Sequence, residues 1–303
     1  MGLFNAVMSL SGAIDTELIE DERLARHTSY RIGGRASLFL ICHSYHALRR
    51  AIDVLTREQV PWVIIGKGSN LLVADEGYRG AVITLGREFQ RSVLAEDGVT
   101  MTVGAGVILA RLVNDALSRG LSGLEFAVGI PGTVGGAVSM NAGTRTEWIG
   151  ELIEDVVTLK PGGGMRHYRH DELLWAYRES GIPKDEIILE ATLRLRPAEK
   201  TDIRAKMERY LVRRRRTQPV GSACCGSVFR NPAGRSVGAM VEECGLKGFS
   251  VGGAEVSPIH ANFIVNNGTA SAQDVVSVIQ HVYEQVKETY GVELQPEVKF
   301  LGF

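Results

Sequence analysis

The sequence lacks the features that mark membrane, secreted and nucleic-acid-binding proteins. Its 303 residues contain no apolar run of the roughly 18 residues that indicate a membrane-spanning helix. The formal net charge is -1, without the basic surplus that nucleic-acid binders carry. The N-terminal stretch Met1–Met8 has no basic residue of the kind that begins a signal peptide. We therefore expect a soluble, cytoplasmic protein, a monomer rather than an oligomer, with neither membrane nor nucleic acid among its partners.

Cysteine is scarce, and its positions argue against a disulfide framework or a metal centre. The four cysteines are Cys42, Cys224, Cys225 and Cys244. They form no CxxC pair and no cluster with histidine, so no metal site is predicted. Adjacent cysteines such as Cys224 and Cys225 rarely bridge each other, and reduced thiols are the simpler interpretation.

Two common nucleotide fingerprints are also missing. Residues Gly66–Ser69 include a Gly-Lys pair, but Pro61 stands where a P-loop needs its first glycine. Residues Gly104–Gly106 begin like a Rossmann fingerprint, but Leu109 replaces the third glycine. A bound dinucleotide would therefore need another architecture.

The sequence has glycine concentrated in two places instead. The stretch Gly129–Gly143, GIPGTVGGAVSMNAG, is here named the long glycine loop. The short glycine loop, Gly66–Asn70, follows the apolar run Trp62–Ile65. Glycine weakens helices and strands alike, so this composition suits a backbone that presses against a phosphate or diphosphate and offers it N–H groups. Structural turns are the alternative interpretation.

Hydrophobic periodicity predicts an α+β fold in which each glycine loop adjoins the end of a strand or helix. Helices are predicted at 47–58, 108–119, 201–216 and 272–290, the second and fourth closed by Gly120 and Gly291. Strands are predicted at 62–65, 81–85, 99–103, 153–159, 186–195, 263–265 and 297–301. A change of composition near residue 200 divides the chain into an N-terminal extension (1–25), a first domain (26–198) and a C-terminal α+β domain (199–303).

Three later positions carry side chains suited to an anionic substrate, and each also has an ordinary structural interpretation. Arg178, beside Tyr177, has a planar fork that matches the two oxygens of a carboxylate or a developing enolate, although a lone arginine is more often a surface residue. Ser227 follows a glycine in a tight loop, where serine usually forms a turn. Glu297 shares one face of a strand with Lys299, as residues of a solvated edge also do.

Taken together and in order, these segments resemble the UDP-N-acetylenolpyruvoylglucosamine reductase family, the MurB flavoenzymes of peptidoglycan synthesis. The likeness runs from about Thr28 to the C-terminus. Each segment alone is weak evidence, whereas the ordered set is specific. The matching segments are Ile65–Leu72, Gly129–Gly143, Tyr177–Ser180, Gly226–Pro232, His260–Asn266 and Pro296–Val298.

The resemblance implies a p-cresol methylhydroxylase-type FAD-binding fold. Two α+β subdomains (26–198) would hold the flavin, and the C-terminal domain (199–303) would bind the substrate. The short glycine loop contains neither the histidine nor the cysteine that attaches the flavin in some relatives of this fold, so non-covalent FAD is expected. The residues that the resemblance assigns to FAD are Gly66, Lys67, Gly68, Ser69, Asn70, Leu71, Gly129, Pro131, Gly132, Thr133, Gly135, Gly136, Ser139, Asn141 and Gly143.

The resemblance also implies an oxidoreductase reaction with two halves. NADPH would reduce the flavin, and flavin N5 would then deliver hydride to C3 of UDP-N-acetylglucosamine enolpyruvate to give UDP-N-acetylmuramate. Ser227 would protonate C2, while Arg178 and Glu297 would stabilise the enolate-like intermediate. A cation offsets the charge of an enolate, and an acid within hydrogen-bond reach completes the addition. The positions associated with substrate contact are Tyr177, Asn231 and His260.

The stretch Phe229–Lys247 is compact and lacks an inserted tyrosine-bearing loop, which resembles the shorter subclass of the family. Two other functions stay open at this point. An FAD oxidase of the same fold would have its flavin reduced by a sugar or an alcohol without NADPH. A nucleotide-binding module without catalysis would be colourless.

Overall fold

The computed structural model describes residues 2–303, which form seven α-helices and sixteen strands. The helices are α1 (Gly2–Leu10), α2 (Tyr45–Arg57), α3 (Leu109–Arg119), α4 (Val134–Ser139), α5 (Lys200–Thr217), α6 (Val237–Glu243) and α7 (Ala272–Tyr290). The strands are β1 (Thr16–Arg23), β2 (Arg35–Cys42), β3 (Trp62–Ile64), β4 (Leu71–Val73), β5 (Tyr78–Leu85), β6 (Ser92–Leu94), β7 (Thr100–Gly104), β8 (Leu121–Ser122), β9 (Ile153–Lys160), β10 (Gly164–Arg169), β11 (Ile187–Arg194), β12 (Arg196–Pro197), β13 (Ser250–Val251), β14 (Ala254–Val256), β15 (Ile264–Asn266) and β16 (Lys299–Leu301).

Most of these strands belong to three sheets. One has the order β1-β2-β5-β3, with β3 and β5 parallel. A second has the order β10-β9-β11-β7-β6 and is antiparallel throughout. The third, β13-β14-β15, is a short antiparallel meander. Within residues 2–303, no helix combines the length and the apolar character needed to cross a bilayer.

The chain divides into two compact units, each built from discontinuous segments. Unit 1 holds the residues up to Glu20 together with Leu38–Gly66 and Gly80–Val212. It contains two hydrophobic cores, one around the faces of α2 and β2 and the other between α3, α4 and the five-stranded sheet. The domain boundaries given by the sequence analysis stay a prediction.

Unit 2 comprises Asp21–Ser37, Lys67–Arg79 and Arg213–Phe303. Its core gathers apolar side chains of α6, α7 and the three-stranded meander. Strand β16 pairs in parallel with β4, which brings the C-terminal residues beside the segment that follows the short glycine loop.

Local sequence signals account for the ends of the long helices. Helix α3 ends at Gly120, whose φ of 70° is left-handed, a backbone conformation that suits glycine. Helix α7 begins with a capping box in which Ser271 and Asp274 each accept the other's main-chain N–H, and it ends at Gly291. Both glycine caps had been predicted, and both are confirmed.

Some elements escape the sequence analysis. Strands β1 and β2 and helix α6 were not predicted. Helix α4 lies inside the long glycine loop, a composition that had been interpreted as unsuited to a helix. It forms because the Thr133 side chain caps it by accepting the Gly136 N–H at 3.3 Å and because its side chains Val134, Ala137 and Val138 are buried.

The first turn of α7 depends on a carboxylate from a distant part of the chain. The two Asp75 oxygens accept the N–H groups of Ala272 and Gln273 at 2.8 and 3.1 Å. Asp75→Ala is expected to lower the free energy of unfolding by about 1–2 kcal/mol, since it removes a charged acceptor from a helix start. Urea unfolding followed by circular dichroism measures the loss. The neighbouring exposed Glu76→Ala is the control, and an equal loss in both variants would contradict the assignment.

Candidate active site

The long glycine loop is a turn followed by helix α4. Gly129 and Gly132 have φ values of 74° and 130°, which favour glycine. The N–H groups of Val134 and Gly135, at the start of α4, donate to main-chain oxygens in the segment after β7 at 2.9 Å each. The start of α4 is therefore fastened to the segment after β7, while Gly129 and Pro131 in the turn and Gly136 in the helix stay exposed.

The glycines of the two loops serve different purposes. A Cβ added at Gly66 would lie 2.6 Å from the Thr133 hydroxyl, and one at Gly135 would lie 2.8 Å from the Ala105 methyl group, so packing inside unit 1 requires these glycines. Gly136 is exposed, and a Cβ there would meet its nearest atom at an ordinary 3.6 Å. A helical glycine costs up to about 1 kcal/mol relative to alanine. Because the protein itself leaves room for a side chain at Gly136, the bare backbone suits the close approach of a ligand.

The short glycine loop leads from unit 1 into unit 2, where Lys67 and the residues after it lie. Gly68 has a φ of 57°, and a Cβ there would overlap the main-chain oxygen of His27. The Asn70 side chain donates to the Glu297 main-chain oxygen at 3.0 Å, and the Asn70 main-chain oxygen accepts from Lys299 N at 3.0 Å. Asn70, predicted to bind the cofactor, thus also fixes the main chain at Glu297.

Arg178 lies at the tip of a tight turn in unit 1. The main chains of Ala176 and Glu179 exchange two hydrogen bonds of 3.0 and 3.1 Å around it. Its φ of 61° is unusual for a residue with a side chain. The guanidinium lies 5.0 Å from the centre of the Tyr177 ring and makes a long hydrogen bond of 3.5 Å to the Gly143 oxygen. The turn therefore places this cation beside the end of the long glycine loop.

Ser227 and Glu297 lie on adjacent segments of unit 2. The main-chain oxygen of Val228 accepts the Glu297 N–H at 2.7 Å. On the other side, Val228 N donates to the Asn262 main-chain oxygen at 2.9 Å. The buried Asn262 side chain binds both main-chain groups of Phe229, at 3.0 and 2.8 Å. Backbone pairing thus places Val228 opposite Glu297 and Phe229 opposite Pro296, with Ser227 next to the paired residues.

A buried thiol and phenol lie next to this segment. Tyr30 is fully buried, and Cys225 is 2% exposed. Burial raises the pKa of the Tyr30 hydroxyl, and the neighbouring Cys225 raises it further. Burial likewise raises the pKa of the Cys225 thiol to about 12. Both groups are therefore neutral at physiological pH, and neither adds a charge next to the segment that contains Ser227.

The two other predicted substrate residues of unit 2 are also held by the protein. The carboxamide oxygen of Asn231 accepts the N–H of Val237 at 2.9 Å, at the start of α6. His260 Nδ1 accepts the N–H of Asn262 at 3.1 Å, and its ring centre lies 4.8 Å from that of Phe263. Burial lowers the pKa of His260, which favours a neutral imidazole that can serve as a hydrogen-bond partner.

The sequence analysis missed a charged cluster that holds both ends of the long glycine loop. Glu125 precedes the loop and Glu147 follows it, and the Lys206 ammonium on α5 lies 3.6 and 2.7 Å from their carboxylates. Glu125 is 2% exposed and also accepts the Ser122 hydroxyl at 2.5 Å, while Tyr210 donates to Glu147. Burial opposes both charges, yet these partners lower the pKa of Glu125 and raise that of Lys206. No sequence spacing signals such a cluster, because its members come from separate segments.

Comparison with known proteins identifies the class first. A family model described as an FAD-binding domain matches residues 36–161. A variant of the BBE-like 1 protein of Physcomitrella patens has the fold in part, with a TM-score of 0.50 at 17% identity over 64% of this chain and 44% of its own. The protein is a flavoprotein of α+β architecture, and the predicted fold class and the FAD cofactor are confirmed.

The particular family follows from closer matches. The C-terminal domain model of UDP-N-acetylenolpyruvoylglucosamine reductase matches residues 218–301. The reductase of Bacillus velezensis is 41% identical over 300 residues, 98% of each chain, and that of Bacillus subtilis is 42% identical over 288 residues, 94% of each chain. The crystal structure of the Thermus caldophilus enzyme superposes with a TM-score of 0.81 at 36% identity, covering 94% of this chain and 98% of its own. The chain belongs to the UDP-N-acetylenolpyruvoylglucosamine reductase family, as the resemblance in the sequence predicted.

The contrast between Gly135 and Gly136 gives a test of the cofactor loop. Gly136→Ala is expected to leave thermal stability unchanged or slightly higher, because alanine favours the helix and its Cβ would meet its nearest protein atom at an ordinary 3.6 Å. Its methyl group should nevertheless raise the Kd for FAD about tenfold or more, equivalent to roughly 1.4 kcal/mol. Titration of apoprotein with FAD, followed by flavin fluorescence, measures the Kd. Gly135→Ala is the matched control and should mainly lower the melting temperature, through its clash with Ala105. An unchanged Kd for Gly136→Ala would remove this glycine from the cofactor site.

The raised thiol pKa of Cys225 predicts selective alkylation. Only the thiolate reacts with iodoacetamide, so at pH 8 buried Cys225, with a pKa of about 12, should stay unmodified in the folded protein. The half-buried Cys244 should react under the same conditions, and unfolding in urea should expose both. Peptide mass spectrometry after timed alkylation gives the rates. Equal rates for Cys225 and Cys244 before unfolding would show that the Cys225 side chain is accessible.

Proposed function

We propose that this protein reduces UDP-N-acetylglucosamine enolpyruvate to UDP-N-acetylmuramate with NADPH as the electron donor, a step of peptidoglycan synthesis. Family membership supports the reaction. The observation that supports the residue roles is the pairing of Val228 with Glu297, because it brings the segment of Ser227 beside that of Glu297 although the two are far apart in the sequence. The cytoplasmic location and the monomeric state expected from the sequence stay predictions.

The two glycine loops would hold the FAD, and their residues fit such a group. Packing inside the protein does not require a glycine at position 136, so the bare backbone there is available to a ligand. Gly129 and Gly132 have backbone angles that other residues rarely adopt. When bound, FAD supplies a two-electron carrier that accepts hydride from NADPH and passes it to the substrate. The side chain of Asn141 makes hydrogen bonds to Ala176 and Gly150 within unit 1. Any contribution of this residue to FAD binding would therefore come from its main chain.

Arg178, Ser227 and Glu297 would act on the enolpyruvyl group. Its carboxylate gains charge as C3 is reduced, and the Arg178 fork can bind two oxygens and offset that charge. The Ser227 hydroxyl would place a proton at C2, and serine is a weak acid that needs a strongly basic acceptor or a relay. The Glu297 carboxyl, on a residue whose main chain pairs with Val228 next to Ser227, would assist in stabilising the intermediate. Tyr177, Asn231 and His260 would contact the rest of the substrate.

Separating the two half-reactions tests the proposal. Under anaerobic conditions NADPH should bleach the yellow enzyme, and addition of the enolpyruvyl nucleotide should restore the flavin absorbance. Ser227→Ala should leave bleaching nearly intact and slow reoxidation by roughly 100-fold or more, the usual contribution of a general acid. Stopped-flow absorbance records both steps, and the exposed Ser222→Ala is the control.

Each contrary result points to a different conclusion. A flavin that stays reduced after addition of the enolpyruvyl nucleotide would refute the reductase. Equal losses in both halves for Ser227→Ala would indicate a damaged flavin site rather than a missing proton donor. Rapid bleaching by a sugar or an alcohol without NADPH would favour the same-fold oxidase, and a colourless protein unable to bind FAD would favour a non-catalytic module.

A further inference from the structure

Asn141 has an unusual backbone conformation near the end of the long glycine loop. Its φ is 41°, in the left-handed region that most residues with a side chain avoid. The residue is 3% exposed, so its polar side chain must find partners within the protein. Strain of this kind persists where the surrounding structure enforces it, and the partners of the side chain show what enforces it.

The Asn141 carboxamide uses both of its ends. Its nitrogen donates to the Ala176 main-chain oxygen at 2.8 Å, and its oxygen accepts the Gly150 N–H at 3.0 Å. One side chain therefore satisfies a buried acceptor and a buried donor on two different segments. An ionised aspartate, which has the same length, could not do this because it has no donor.

Ala176 is the first residue of the turn that carries Arg178. Two further bonds join this turn to the end of the long glycine loop. The Ser180 hydroxyl, in a residue 5% exposed, donates to the Ser139 oxygen at 3.2 Å, and Arg178 itself bonds to the end of the loop. The bond made by Asn141 is the shortest of the three and acts on the main chain of the turn.

We propose that Asn141 is a positioning residue for Arg178: its carboxamide fixes the Ala176–Glu179 turn to the long glycine loop, so that the guanidinium keeps a constant position relative to the segment that holds FAD. This inference rests on the proposed function, which assigns Arg178 to the substrate. It changes the role of Asn141 expected from the family resemblance, because the side chain serves the arginine turn and not the cofactor.

The isosteric change Asn141→Asp tests the proposal. It keeps an acceptor for Gly150 N and sets a carboxylate against the Ala176 oxygen. Asn114→Asp is the matched control, since Asn114 is exposed on α3 of the same unit and undergoes the same change of charge. Asn141→Gly, which suits the left-handed φ, provides the same comparison if the aspartate variant does not fold.

The first readout needs neither cofactor nor turnover. In the apoprotein, hydrogen–deuterium exchange of peptides spanning 174–181 should become about tenfold faster in Asn141→Asp, because the turn opens locally. Peptides from β11 should keep their rates, and the Asn114→Asp control should match the wild type throughout. Unchanged exchange at 174–181 in a folded Asn141 variant would overturn the proposal.

The second readout separates positioning from general damage. The Kd for FAD and the rate of flavin reduction by NADPH should stay within about threefold of the wild type, whereas reoxidation by the enolpyruvyl nucleotide should slow by about tenfold or more, as misplacing a binding group does. Added to Arg178→Ala, Asn141→Asp should cause little further loss, because the two changes affect one function. Full additivity, or an Asn141 variant that mainly weakens FAD binding, would overturn the proposal.

The controls also distinguish the inference from the function on which it rests. If Arg178→Ala alone leaves reoxidation unchanged, the proposed role of Arg178 fails, and the positioning role fails with it, even where the exchange data show that Asn141 anchors the turn. If Arg178→Ala slows reoxidation while Asn141→Asp does not, the proposed function stands and the positioning role is refuted.

Discussion

The contact between Gly66 and Thr133 is the constraint on which the cofactor-binding part of unit 1 depends. Any side chain at Gly66 would strike the Thr133 hydroxyl, whose nearest approach to a Cβ there is 2.6 Å. The same hydroxyl caps α4 through the Gly136 N–H. The end of strand β3 and the start of α4 are thus positioned by one small side chain. Because protein interiors transmit even small displacements, a shift at Gly66 would also move the glycine turn before α4.

Unit 2 positions its reactive groups by a different means. Ser227 and Glu297 adjoin Val228, Phe229 and Val298, which lie in the same core as the apolar face of α7. Their segments are held by backbone pairing at Val228 and by the side chain of Asn262. This side chain binds both main-chain groups of Phe229, as a neighbouring strand would. Such a buried amide is costly to leave unpaired, by about 1–3 kcal/mol for each group. The pairing of the main chain at Phe229, two residues after Ser227, is therefore costly to break.

The sequence predicted the parts of this molecule that follow local rules. Helices α2, α3, α5 and α7 were found from their apolar spacing, and the glycine caps Gly120 and Gly291 from the need for left-handed backbone. The two glycine loops were found because their glycine content fits neither a core helix nor a core strand. What escaped prediction depends on contacts between distant segments. Strands β1 and β2 are stabilised by their neighbours in the sheet, α4 forms despite two helical glycines, and the partners of Asn70 and Asn141 lie far along the chain. For these residues the resemblance supplied a position within the site, and the structure shows the contacts that each side chain makes.

The cluster around Lys206 explains how a glycine-rich loop is kept ordered. A loop with five glycines in fifteen residues loses much conformational freedom when it binds a ligand, and ordering it at that moment would weaken the affinity. Glu125 and Glu147 lie just outside its two ends, and Lys206 joins both carboxylates. With Glu125 only 2% exposed, releasing Lys206 would leave a buried carboxylate without its counter-charge, at a cost of several kcal/mol. The ion pairs are thus weak evidence for overall stability, but they oppose separation of the two ends of the loop, because both carboxylates share one ammonium. Helix α5, which the sequence presents as an ordinary charged surface helix, restrains the ends of the loop, while Gly129 and Gly136 between them stay exposed.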